Sequence, residues 1–501
     1  MVKTLSALKY TVRNLFSEKS DFTLTRLHDQ LNDYEFKIDS NTYDDLLLSQ
    51  FDKQYNNTFT SCGDEVFNHW LRSIKSKEQI TTLQGDIAAV VNSSGRQKII
   101  KYLHKIGKQK RGLIVNDLWN GFTIKFWIID NFYFLYSVNI LFSCIVYLRN
   151  TEFLFLAVLF FCICNLCIFL LTNAKISRVS GSINYFLTIC RRLYSIQKKT
   201  DISLTVAMPD LQVFSKLNGC SILFKDGFGY AGTDLISIIL DYLRIFCCFE
   251  LIAYKYTSRF INKHREELRK TVYYTGYLDC LMNTVRIMEN NETVLSTITE
   301  NTSIDFLEMK HPLIEGSVGQ SKKLERGLIV TGLNMAGKTT FMKSLGLNQL
   351  LATSFAFAFA KNYSTTVLSI LTSLKINDDI LKSQSRYYAE AKRLSFIKEH
   401  ISAHPCLCLI DEILSGTNSD DRIYGATLIL KEFASNPQSF IIAATHDSTI
   451  AENATNLYDL VYFDGEIQDD KLIFDYVLKD GIVTKKNGLL ILKLLGITID
   501  R

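Results

Sequence analysis

Thr331-Gly332-Leu333-Asn334-Met335-Ala336-Gly337-Lys338-Thr339-Thr340 sets Gly332, Gly337, Lys338 and Thr339 into the pattern Gly-x-x-x-x-Gly-Lys-[Ser/Thr]. In such a loop backbone N–H groups wrap phosphates, the lysine reaches the terminal pair and the hydroxyl holds Mg²⁺. The pattern carries weight only between a strand and a helix, and the flanks supply both. The apolar run Gly327-Leu328-Ile329-Val330 enters the loop; Phe341, Leu345, Gln349 and Leu350 leave it at helical spacing, with no proline before Pro405. The expected fold around it is an α/β P-loop domain that takes a nucleotide.

Two further strand ends fit that reading. Cys406 to Ile410 is a short apolar run closed by Asp411 and Glu412, so two carboxylates sit where a parallel strand ends. A Mg²⁺-dependent nucleotide hydrolase needs acids there: Asp411, with Thr339, for the metal shell, and Glu412 to orient or deprotonate the attacking water. A third run, Phe440 to Ala444, closes on Thr445, His446 and Asp447. His446 is placed to donate a hydrogen bond to a terminal phosphate; a loop or helix-capping histidine is the plainer alternative.

The rest of the 501 residues divides by texture. A net charge of +5 neither announces nor excludes nucleic acid, and twelve cysteines without disulfide spacing read as reduced, intracellular thiols. The first fifteen residues hold Lys3, Lys9 and Arg13 but no apolar core, so no cleavable signal is expected. Residues 1–118 contain no proline and show helical spacing, as in Val66, Trp70, Leu71 and Ile74, and in Ile99, Ile100, Leu103 and Ile106, so an all-helical core and lever region is expected ahead of the nucleotide domain. Within 119–172 lie two charge-free apolar runs, about 132–148 and 153–171, joined by Arg149-Asn150-Thr151-Glu152. At 1.5 Å per residue each reaches about 25 to 29 Å, close to the hydrocarbon thickness of a bilayer. The expected element is a two-helix transmembrane hairpin, the alternative a buried helical pair. Lys105, Lys108, Lys110, Arg111 and Lys125 before it and Lys175, Arg178, Arg191 and Arg192 after it predict a multi-pass protein of the inner (cytoplasmic) membrane with both termini and the nucleotide domain in the cytoplasm. Residues 173–304 return as helices, with a continuous pattern from Leu235 to about Met288, and 305–501 carry the alternating strands and helices of the nucleotide domain.

Taken together, these motifs resemble the MutS-type DNA mismatch repair ATPases, within the ABC class of P-loop proteins. Asn334-Met335 inside the loop is the discriminating pair; His311-Pro312-Leu313-Ile314, Asp411 to Asn418, and Thr445-His446 are similar to further motifs of that family. Ser385 to Glu390, followed by Arg393, is similar to its signature helix. Gly276-Tyr277-Leu278-Asp279 and the segment from Asp52 through Gly63 to Trp70 and Leu71 resemble two halves of its helical core, so the apolar hairpin stands where soluble members carry levers and clamp. Membrane-inserted, truncated members form a recognisable subgroup.

The resemblance implies ATP and Mg²⁺, held by Gly332, Asn334, Met335, Ala336, Gly337, Lys338, Thr339 and Thr340 with Asp411 on the metal and His311 toward the adenine. It implies Glu412, His446 and Lys338 as the catalytic groups and a homodimer in which Ser385 reaches the partner's γ-phosphate. It also implies DNA as a partner, alongside the membrane lipid that the hairpin calls for. Arg386 after the signature serine and Gly319-Gln320-Ser321 depart from the family pattern, and the N-terminal region leaves no room for a mismatch-reading domain. Two other functions stay open on the sequence: a membrane mechanochemical or scaffolding ATPase without DNA, and a transporter component. Leu414-Ser415-Gly416 superficially matches a transporter signature but follows the Asp-Glu pair instead of preceding it.

Overall fold

The computed structural model describes residues 27–109, 119, 127–149, 154–217, 248–333, 336–374, 386–414, 418–468 and 471–482. The chain forms two compact units: Met1–Gln30, Lys110–Leu187 and Gln212–Arg269 in one, Leu31–Gln109, Thr188–Leu211 and Lys270–Arg501 in the other. The second unit therefore joins the N-terminal helices to the nucleotide domain.

Those N-terminal elements are β1 (Phe36–Lys37), α1 (Ser40–Asp45), α2 (Leu48–Tyr55), α3 (Ser61–Trp70), β2 (Ser73–Ile74), α4 (Lys77–Asn92) and α5 (Arg96–Ile106). Side-chain caps start several of them. Asp39 accepts from the N–H groups of Asn41 and Thr42, and Ser76 and Gln79 form a reciprocal capping box on α4. Ile99, Leu103 and Ile106 form the buried stripe of α5. Ile74, expected on one helix with Val66, Trp70 and Leu71, lies instead in β2. There α3 ends at Trp70, Ser73 Oγ bonds the His69 carbonyl, and Ile74 pairs with Phe36 of β1. A buried residue at a helical interval fits either a helix or the strand that follows it; the β1 partner decided.

In the other unit α6 (Trp127–Asp130) precedes α7 (Phe132–Arg149), and α8 (Leu154–Lys199) follows. Two windows, Phe132–Arg149 and Phe155–Thr172, are long and apolar enough to cross a membrane by length and composition. Their flanks are bare: Phe134, Leu141, Leu148, Phe155 and Leu170 are 62–80% exposed. The polar contact between them is buried, Asn139 Nδ2 donating to Asn165 Oδ1 at 3.2 Å, and Phe142 packs on Phe160. The apolar run ends near 171 but the helix does not: α8 continues to Lys199, its residues from Thr188 belonging to the second unit. The described part of the long helical pattern from Leu235 to about Met288 is carried by α9 (Phe249–Lys263) and α10 (Arg265–Asn290), which meet at His264; residues 218–247 lie outside the described set.

After α10 the strands resume at residue 294, ahead of the change of texture near 305. In chain order they are β3 (Val294–Leu295), β4 (Thr297–Ile298), β5 (Ile304–Met309), β6 (Gln320–Leu324), β7 (Leu328–Gly332), β8 (Phe357–Ala358), β9 (Asn362–Thr365), β10 (Ser369–Ser373), β11 (Cys406–Asp411), β12 (Phe440–Ala444), β13 (Asp459–Phe463), β14 (Gly465–Gln468), β15 (Lys471–Phe474) and β16 (Lys479–Asp480). Helices α11 (Lys338–Ser354), α12 (Arg386–Ala403), α13 (Ser419–Phe433) and α14 (Ser448–Ala454) lie between them. The main sheet has the order β10-β11-β12-β7-β13-β16, parallel except for β16. Alternate residues of its strands enter two cores, as a sheet covered on both faces requires. Leu328, Val330, Leu407, Leu409 and Ile442 pack with Phe341 and Leu345 of α11, whereas Ile329, Cys408, Ile410 and Ile441 pack with α12, α13 and α14. A second sheet, β4-β9-β5-β6, adds Ile304, Phe306 and Tyr363 to the α11 side.

One buried carboxylate ties the N-terminal helices to α10. Asp279 accepts from the backbone N–H groups of Phe59 and Thr60 and from Thr60 Oγ1, fixing the turn that starts α3. Gly63 lies so close that any side chain there would strike Asp279. Burial pushes the Asp279 carboxyl up to about 6, with the bonds from Thr60 and Phe59 opposing. Because the folded state holds this proton more tightly than an unfolded chain, the group's stabilising contribution is complete below about pH 4 and is lost as pH rises through 6. Asp279→Asn, which cannot titrate, is expected to be most destabilising relative to wild type near pH 4, with the gap narrowing toward pH 7. Denaturant unfolding of detergent-solubilised protein across that range checks it; a gap independent of pH would refute the assignment.

Candidate nucleotide site

Strand β7 delivers the loop and α11 departs from it. Gly332 and Gly337 have φ of 138° and 110°, which side-chain-bearing residues rarely adopt. A Cβ on Gly332 would also strike the Phe463 carbonyl of the adjacent strand β13. Ala336 is buried, its N–H bonded to the Leu333 carbonyl at 3.2 Å. Asn334 and Met335, the discriminating pair, lie outside the described residues, as does Ser385.

The Lys338 ammonium folds back across the loop and donates to the carbonyls of Gly332 (2.6 Å) and Leu333 (3.0 Å). Burial lowers its pKa, with Asp411 and Glu412 opposing. Thr339 Oγ1 donates to Asp411 Oδ2 at 2.6 Å, which brings the expected metal pair together. Burial raises the Asp411 carboxyl while the Thr339 bond pulls it down. Two hard oxygen donors at one point suit Mg²⁺, which binds through one or two protein ligands and completes its shell with phosphate oxygens and water.

Glu412 follows Asp411 in a left-handed conformation, φ 55°, its N–H bonded to the Ala444 carbonyl at 3.0 Å. That bond lays the end of β11 against the end of β12, where His446 sits. His446 Nδ1 and Glu412 Oε1 are 3.1 Å apart. Thr445 N–H bonds the Val330 carbonyl at 3.1 Å, fixing the histidine's strand end beside β7.

A cleft of about 450 Å³ opens beside the loop, lined among others by His311, Ile314, Gly337, Thr340, Phe463 and Tyr476. It contains the expected adenine-side residue, His311. The His311 Nδ1 accepts from the Leu313 N–H at 3.1 Å, so the neutral ring carries its proton on Nε2. Burial, reinforced by Lys343, lowers its pKa to about 4 and keeps it neutral. The sequence reading missed Phe463 and Tyr476. Gln320 holds the second in place, donating to the Tyr476 carbonyl at 2.7 Å and accepting from the Leu478 N–H at 2.8 Å. A contact between residues 156 apart leaves no local signal in a sequence.

Residues 328–499 match the model of MutS domain V, a P-loop ATPase-type domain. The chain's C-terminal domain is a MutS-family domain V. The chain is 25% identical over 241 residues to the DNA mismatch repair protein MutS of Listeria monocytogenes, an alignment covering 46% of this chain and 28% of that protein. To the DNA mismatch repair protein MutS of Methanosarcina mazei it is 27% identical over 252 residues, covering 47% and 28%. The MutS of Leptospira interrogans gives 24% over 237 residues, 44% and 28%. The chain thus spans under a third of the length of these curated relatives. MutS-family proteins are ATPases that use ATP with Mg²⁺.

The MutS loop geometry yields a direct test. Gly337→Ala places a Cβ at φ 110° and within 3.3 Å of the Tyr476 ring. Binding of a fluorescent ATP analogue is expected to weaken at least about tenfold, the order set by roughly 1–2 kcal/mol of left-handed strain. Wild-type affinity in that variant would show that the loop does not adopt this conformation around a nucleotide.

Proposed function

We propose that this chain is a membrane-anchored, Mg²⁺-dependent ATPase of the MutS family that acts as a homodimer, with DNA as its second ligand. The observation that carries the ATPase reading is the convergence of Lys338, the Thr339–Asp411 pair and the Glu412–His446 pair at the carboxyl ends of β7, β11 and β12. Carboxyl edges of parallel sheets are where open α/β folds place ligands.

Phosphates would enter at the N-terminus of α11, where backbone N–H groups and the helix dipole favour negative charge. Lys338 would exchange its two loop carbonyls for phosphate oxygens, recovering an interaction that burial has made costly. Thr339 and Asp411 would hold Mg²⁺, whose charge offsets that of the β- and γ-phosphates. Glu412 would take the proton of the attacking water, and His446 would hold the Glu412 carboxylate or donate to the γ-phosphate. The adenine would lie in the cleft between Tyr476 and Phe463, with His311 Nε2–H as a donor. Asn334 would join the loop and Ser385 of the partner subunit would close it, both on the strength of the family motifs. Glu412→Gln is expected to retain ATP binding and lose turnover by roughly 10²-fold or more. A turnover equal to wild type removes Glu412 from this role. In the same assay, homoduplex, mismatched and branched DNA over a salt series should stimulate hydrolysis. Absent stimulation and salt-dependent binding overturn the DNA part and leave an ATPase acting elsewhere.

The anchor reading draws on the exposed apolar flanks of α7 and α8 and on the internal Asn139–Asn165 contact. Both suit a helix pair whose solvent is lipid and whose polar groups must find each other. Both termini and the ATPase domain would face the cytoplasm. In sealed vesicles, protease added on the ATPase side is expected to leave the 149–152 connector intact; cleavage there from that side contradicts the hairpin.

A further inference from the structure

Glu390 lies on α12, outside the groups assigned above to ATP. It is 2% exposed, and its Oε1 accepts the N–H of Leu414 at 2.5 Å. Leu414 stands two residues beyond Glu412. The two have φ of 58° and 55°, so among the described residues between β11 and α13 two that are not glycine, Glu412 and Leu414, lie in the left-handed region. Such a conformation is strained for a residue with a side chain and persists only where neighbours hold it. For Glu412 the support is its N–H bond to Ala444. For Leu414 it is Glu390, together with packing so tight that a Cβ on Gly425 of α13 would meet Leu414 Cδ1 at 2.7 Å.

We propose that Glu390 is a positioning residue for Glu412: by gripping the Leu414 N–H it fixes the left-handed turn that aims the Glu412 carboxylate at the attacking water. The inference rests on the reading of Glu412 as the group that acts on that water. A charged acceptor suits the task, because its bond to an N–H is shorter and roughly twice as strong as one between neutral groups. The helix that carries it is itself anchored. One turn on, Arg393 donates to the Thr372 carbonyl of β10 at 2.7 Å and pairs with Asp39 at 3.2 Å. Glu390 therefore works from a fixed support: α12 is tied to β10 and to the start of α1, and its carboxylate sets the turn that carries Glu412.

Steady-state ATPase, affinity for a fluorescent ATP analogue and thermal unfolding of the full chain in detergent test this together. Glu390→Ala is expected to lower kcat by about 30-fold or more with KM and nucleotide affinity within twofold, while Glu390→Gln, which keeps a carbonyl acceptor, stays within about threefold of wild type. Glu390→Asp, too short to reach Leu414 but still charged, should lose about tenfold in kcat at an unchanged melting temperature, and it stands in if the alanine variant does not fold. Wild-type kcat in Glu390→Asp overturns the proposal. So does a loss in Glu390→Gln equal to that in Glu390→Ala and carried by KM. If Glu412→Gln turns over like wild type, the underlying reading fails instead, whatever the Glu390 variants do.

Discussion

Helix α11 is fixed at both ends, and most of the second unit is arranged around that fact. Its N-terminus carries the phosphate loop. At its C-terminus the carbonyl of Thr353 accepts the Lys75 backbone N–H (3.1 Å) and that of Ser354 accepts the Lys75 ammonium (2.6 Å). A cation at that end also meets the negative pole of the helix dipole. Burial pulls Lys75 down to about 7, and its ammonium lies 4.2 Å from the Trp70 ring centroid. Between these ends α11 is buried on every side, against the main sheet, the smaller sheet and Leu46 beside α1. The helix thus joins the loop at its N-terminus to the N-terminal elements held at its other end.

The chemistry concentrates where the backbone is least comfortable. Gly332 and Gly337 shape the loop, and Glu412 and Leu414 repeat the device without glycine, held by Ala444 and Glu390. Strain of this sort survives only inside an over-determined setting, and the two cores on either side of the sheet supply it. Lys338 and Asp411 are displaced from their usual pKa values in opposite senses, each by burial. Both shifts disfavour the charged form, and a bound phosphate with its cation would reverse that.

The other unit follows a different physical logic. In α7 and the first part of α8 the apolar residues point outward and the polar contact, Asn139 with Asn165, points inward. The lipid anchor proposed above would suit that arrangement. The length of α8, 46 residues, carries one continuous helix from the apolar run into residues that belong to the second unit.

Local order was legible in the sequence: the strand-loop-helix around Lys338, the strands Cys406–Asp411 and Phe440–Ala444, and the apolar runs of α7 and α8 all follow from patterns a few residues long. Such patterns record hydrophobic period and backbone needs, which is why Gly332, Gly337, Asp411 and His446 could be picked out. They could not place Ile74 in a strand, because a pairing partner depends on what packs nearby. The grip of Glu390 on Leu414, of Asp279 on Phe59 and Thr60, and of Gln320 on Tyr476 joins residues 24, 219 to 220 and 156 positions apart. The sequence by itself determined which residues stand in the phosphate-loop pattern and which carboxylates close a strand beside it. Only the tertiary structure decided how Glu412 is aimed, because a hydrogen bond between distant segments has no period to read.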